Sequence, residues 1–161
     1  MELKLTPAVI GQVDVARLVR ELNNLEDFFT SAKLREGGTP MAPPRLTRTL
    51  EGLARENKVN LLDAGQRQTL NRALDQLLKN APLLHISFAS EPSPLFLTEI
   101  LGWLRANIDP LILLQVGLQP TIAAGCMLRT SNRIIDMSLR SYLQLQEPYL
   151  VKLIAGAAHG K

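Results

Sequence analysis

The spacing of apolar residues changes once along this chain, near Pro82, and that change limits the fold more than any other feature. Up to residue 80, apolar side chains recur at three- and four-residue steps, the period of one helix face. Beyond Pro82 they come mainly in short continuous runs of strand length, separated by turn residues. A chain divided in this way is predicted to be α+β, with a helical region over residues 1–80 and a small α/β domain over residues 81–161.

In the first region, Val15, Leu18, Val19, Leu22, Leu25 and Phe29 line one side of a predicted helix over 13–35, with Asp14 placed to cap its start. The stretch "REGGTPMAPPR", 35–45, packs two glycines and three prolines together and cannot continue that helix. A second, shorter helix is predicted over 45–57 on Leu46, Leu50 and Leu53. A third is predicted over 63–79, where Asp63 followed by Gln66 has the spacing of a capping box ahead of Leu70, Leu74 and Leu77. Each helix is amphipathic, so the three are expected to pack on one another or on a partner.

The second region is predicted to run β-α-β-β-α. "LLHISFA" is the first strand, and Ser93 with Pro94 forms a cap and first-turn pair for a helix that turns Leu97, Ile100, Leu101, Leu104 and Ile108 inward. Asp109 and Pro110 end it. "LILLQVGL", "TIAAGCMLR" and "RIIDM" read as three strands, the last two joined by a turn at Ser131 and Asn132. A final helix starts near Ser138, and Pro148 is expected to break or restart it.

Composition narrows the function. The net charge is +3, but residues 1–80 carry 12 Lys+Arg against 10 Asp+Glu and residues 81–161 carry 6 against 5, interleaved along helices. That is the pattern of a solvated helical face, and it argues against nucleic acid as a partner. A small basic nucleic-acid-binding adaptor is nevertheless the alternative class. No apolar run reaches bilayer length, the first residues lack a signal-peptide pattern, and the single Cys126 fits a reducing compartment, so an intracellular location is expected.

Residues fit for catalysis are scarce. Cys126 and His85 would have to meet across the sheet to make a nucleophile and its base, and a strand cysteine is ordinarily a small hydrophobe. His85 and His159 lie 74 positions apart and form no metal-ligand spacing with the lone cysteine. Gly37 and Gly38 precede prolines and make no phosphate loop. No enzyme activity, metal, cofactor or small-molecule substrate is therefore expected. Asp136 and Ser138 stand at a strand-to-helix step, where either side chain can accept from the free amides of the first helical turn, and Gly125 marks a bulge or a close backbone approach.

The order of these features from His85 to Leu143 resembles the C-terminal part of the F-type ATP synthase delta subunit, the family of the oligomycin-sensitivity-conferring protein. The matching segments are "HISFASEPS", "PLFLTEILGWLRANI", "LILLQVGLQP", the hairpin "TIAAGCMLRTSNRIID" and the step "DMSLRSYL". Ala124-Gly125 stands where that family usually has Gly-Gly, Thr130 to Asn132 stand in place of its Gly-Asp turn, and Met137 in place of the middle glycine of its Asp-Gly-Ser step. Gly125, Asp136 and Ser138 keep the motif. The region ahead of it is shorter than the helical bundle with which family members usually begin. Related stators of vacuolar or archaeal ATPases and of type III secretion share a similar tail.

The resemblance implies a non-catalytic stator subunit that links the catalytic alpha/beta head to the peripheral stalk and resists rotor torque during proton-driven ATP synthesis. The implied partners are the N-termini of the alpha subunits and the stalk helices of the b subunit. The implied location is the cytoplasmic face of the bacterial plasma membrane, with membrane association only through the complex. On this reading the stripe Leu18, Leu22, Leu25 and Phe29 is expected to contribute to the head contact, and the C-terminal domain to receive the stalk.

Overall fold

The computed structural model describes residues 3–34, 44–130 and 132–158. Most of the proline-rich break at 35–45, Ser131 of the expected turn, Gly37, Gly38 and His159 lie outside the described residues. Among those described are five α-helices and four strands, so the chain is α+β: α1 (Gln12–Leu34), α2 (Arg48–Glu56), α3 (Ala64–Asn80), β1 (Leu83–Phe88), α4 (Pro94–Asn107), β2 (Leu113–Leu118), β3 (Gly125–Arg129), β4 (Ile134–Ser138) and α5 (Leu139–Ala158). No described helix is long and apolar enough to cross a membrane.

The chain divides into two compact units: Met1–Pro82 with Pro94–Leu114, and Leu83–Ser93 with Gln115–Lys161. The expected boundary near residue 80 coincides with the passage from α3 to β1. However, α4 and the start of β2 belong with the N-terminal helices, a grouping that no local sequence signal reveals.

In the first unit the helix starts follow from local chemistry. The Asp14 carboxylate accepts from the amides of Ile10 and Gly11, which have no partner inside the helix. Thr47 caps α2 by accepting from the Leu50 amide, and Glu21 of α1 holds Thr47 through both its amide and its hydroxyl. Asp63 caps α3 through the amides of Gly65 and Gln66, and the Gln66 side chain donates back to the Asp63 carboxylate. These caps let short helices commit to one register, and their leucines then close the core: Leu18, Leu22 and Leu25 of α1, Leu50 and Leu53 of α2, Leu70, Leu74 and Leu77 of α3, and Leu101 and Leu104 of α4. Leu97 and Ile100 are only half-buried, and Ile108 is exposed because α4 ends at Asn107. Gly11 lies so close to the Leu114 carbonyl that a Cβ would come within 2.6 Å of it. Nearby, Leu114 donates to the Ile10 carbonyl at 2.9 Å, tying the start of β2 to the approach of α1.

In the second unit the sheet has the order β2-β1-β3-β4, and the β1–β3 and β3–β4 pairs are antiparallel. Leu84, Ile86 and Phe88 alternate inward along β1. The expected strand "TIAAGCMLR" forms only from Gly125 onward. Pro120 begins a 3-10 turn over Pro120–Ile122, and Ala123 follows it at φ 66°, which no strand residue adopts. Pro148 does not interrupt α5, which continues to Ala158. One missing amide removes one rung, and the leucine-rich turns on either side supply enough helix propensity to carry the segment through.

Candidate functional site

The one pairing that would make a nucleophile is not formed. In the β1–β3 register, Phe88 lies opposite Cys126 and His85 lies opposite Arg129. Paired residues share a face and successive residues alternate, so His85 and Cys126 point to opposite sides of the sheet, about 10 Å apart along the ladder. Burial also pushes the Cys126 thiol above its ordinary pKa, away from a reactive thiolate. Among the described residues no group of His, Cys, Asp and Glu is arranged to hold a metal ion.

Gly125, Asp136 and Ser138 do converge, at the step from the β3–β4 hairpin into α5. Gly125 pairs with Ser138 and has φ 91°, and a Cβ there would run into the Met137 carbonyl. The Asp136 carboxylate accepts from the Ser138 amide at 2.9 Å, and the Ser138 hydroxyl accepts from the Ser141 amide at 3.1 Å. Leu139 donates to the Ala124 carbonyl, fastening the first residue of α5 to the entry of β3. Hydrogen bonds from the Ser138 side chain and backbone hold Asp136 below the usual carboxylate range, with Arg140 adding a smaller attraction. Together these contacts fix where α5 leaves the sheet. They supply position and no reacting group.

The α1 stripe is placed differently from the expectation. Leu18, Leu22 and Leu25 are buried in the core of their own unit, with at most 3% of their surface exposed. Phe29 is half-buried under the guanidinium of Arg67, 4.4 Å from its ring centroid, and Arg67 also pairs with Glu26 at 2.7 Å. Helices this amphipathic bury their stripes on each other as soon as three are available, so this apolar area is not on offer to a partner unless α3 moves away.

The surface that sequence reasoning missed is α5. Every described side chain from Leu139 to Ala155 is exposed except Ser141, which is half-buried. At 100° per residue, Leu145, Tyr149, Tyr142, Leu153, Leu139, Leu150, Leu143 and Ile154 sweep an arc of roughly 180° that Gln146 interrupts, while Arg140, Gln144, Glu147 and Pro148 lie on the other side with Val151 among them. Leu145 is 77% exposed and Ile154 68%. Beside it, β4 is an edge of the sheet and exposes Ile134, Ile135 and Met137. The signal was present as leucine spacing, but spacing alone does not say whether an apolar stripe faces its own core or a partner.

No family model matches the chain, and no curated protein matches it.

A concavity belongs to the first unit. A cleft of about 710 Å³ opens between the N-terminal segment Leu3–Leu5, the last turns of α3 and the 109–111 turn, and Arg105 lines it. The Arg105 guanidinium donates to the carbonyls of Thr6, Val9 and Ile112. Burial pushes its pKa down to about 10, which still leaves it charged at neutral pH.

Proposed function

We propose that the chain is a non-catalytic linking subunit of a rotary ATP synthase stator, and that α5 with the edge of β4 is its docking surface for the helices of the peripheral stalk. The observation that carries this reading is the exposed apolar arc of α5. A 20-residue helix that is apolar over half its circumference is not left bare in water without cause, because the area it shows is worth about 25 cal/mol per Å² once buried. An arc of roughly 180° is wider than the seam a single packed helix covers, so the complementary partner is a pair of helices or a helix with its neighbours. The resemblance of His85–Leu143 to the delta subunit supplies the identity of that pair as the stalk.

The same resemblance supports a contact between the helical unit and the catalytic head, made through the unit's outward surface and not through the leucine stripe of α1. In this reading the protein does no chemistry: the hairpin fastens the base of α5, and α5 carries load between larger parts on the cytoplasmic side of the membrane. The test asks whether the full chain, and a Leu143→Glu/Leu150→Glu variant of it, capture a helical peptide taken from the C-terminal end of the stalk's b subunit. Binding by the first and loss in the second is expected. Failure of the unaltered chain to bind overturns the proposal.

A further inference from the structure

The cleft beside Arg105 has no role in the stator reading, and its composition is unusual. Its walls are mostly apolar, built by Leu3, Leu5, Ala73, Leu77, Pro110 and Leu111. Arg105 also lines the cleft, and its guanidinium meets only neutral carbonyl oxygens: Thr6 at 3.0 Å through Nη1, Val9 at 2.6 Å through Nη2, and Ile112 at 3.4 Å through Nε and Nη2. Among the described residues no carboxylate lies within ion-pair distance of it; the one ion pair found joins Arg67 to Glu26. Asp109 also lines the cleft, but its carboxylate is engaged by the Leu111 amide at 2.7 Å, and Lys4 is a further lining residue. The charges around the cleft are therefore Lys4 and Arg105 against Asp109, one positive charge in excess.

A partly desolvated guanidinium without an anion is held at a cost that a bound carboxylate would offset, and carbonyl acceptors satisfy its geometry without neutralising it. The two Nη1 hydrogens serve one observed bond, to Thr6, which leaves a donor for an incoming oxygen. We propose that this cleft binds a small monocarboxylate with an aliphatic body, its head group at Arg105 and its chain along Leu3, Leu5, Leu77 and Leu111. A single excess charge suits a monoanion better than a doubly charged phosphate. The helical wall from Ala73 to Asn80 is about 12 Å long, short of the ~20 Å that a self-supporting partner helix needs, so a free acid fits where a helix does not. The volume lies within the range of small-molecule sites, roughly 300 to 1,000 Å³.

Titration of the full chain with sodium octanoate, followed by amide NMR shifts, tests the assignment against 1-octanol and octylammonium of equal chain length. Saturable shifts confined to residues 3–6, 73–82 and 105–112 are expected, with octanol weaker by about tenfold or more because it lacks the charge-assisted bond. Arg105→Gln should remove the preference for octanoate over octanol. Because Arg105 also ties down the Thr6 and Val9 carbonyls, that variant can lose its fold, and Ala73→Leu then decides: it narrows the cleft from the α3 wall while keeping the Arg105 side chain, and should abolish binding. Equal affinity for octanol, non-saturable or scattered shifts, or undiminished octanoate binding by Ala73→Leu overturns the proposal.

Discussion

Gly125 and Met137 approach so closely across the β3–β4 hairpin that the Cβ of any other residue at position 125 would overlap the Met137 carbonyl, and Gly125 holds φ 91° to permit it. Gly125→Ala is therefore expected to destabilise the second unit by about 2 to 4 kcal/mol, through both the left-handed φ and the backbone overlap. Urea unfolding followed by circular dichroism measures it. An effect below ~0.5 kcal/mol would show that the hairpin opens without cost.

Ser138→Ala removes the acceptor for the Ser141 amide and should cost about 1 kcal/mol, read as fraying of the first turn of α5 in hydrogen exchange. Ser138→Thr, which keeps the hydroxyl in a site only 4% exposed, should recover most of that loss.

Asp136 gives the same junction a pH dependence. Its folded pKa is depressed by the Ser138 hydrogen bonds, so its contribution to stability is present above the ordinary carboxylate value and is lost as pH falls through the depressed one. Asp136→Asn should lower stability at neutral pH, where the carboxylate makes its contribution, and converge with the parent at low pH, so that this part of the acid unfolding curve flattens. A variant with the same acid profile as the parent would contradict the assignment.

Arg67 and Glu26 form an unequal pair, with Arg67 3% exposed and the Glu26 side chain 34%. Removing the glutamate strands a buried cation, whereas removing the arginine leaves a carboxylate that water can reach. Glu26→Ala is expected to cost about 3 kcal/mol and Arg67→Met about 1 to 2 kcal/mol, the latter retaining apolar packing against Phe29. Equal costs from denaturant midpoints would refute the asymmetry.

The exposed face of α5 predicts the opposite behaviour. Leu143→Glu and Leu150→Glu should each change stability by no more than about 0.5 kcal/mol and should raise solubility, because neither side chain is buried within its own chain. A large loss of stability would mean that α5 is held more tightly than its exposure indicates.

Local chemistry made much of this fold legible in the sequence. The Asp63 and Gln66 cap, the start of α4 at Pro94 and the capping role of Ser138 all depend on residues within one helical turn of each other, and periodicity named Leu18, Leu22, Leu25, Leu70, Leu74 and Leu77 as apolar faces; the second helix, expected over 45–57, runs over Arg48–Glu56 because Thr47 caps it. Tertiary structure alone decided what those faces meet. The stripe on α1 closed onto α2 and α3, the similar stripe on α5 was left uncovered, α4 joined the first unit, and Arg105 was brought to the carbonyls of Thr6 and Val9, 99 and 96 positions away in the chain. The reason is that apolar attraction is non-directional: a sequence records which faces must leave water, but only the closed chain determines which of them find partners within it.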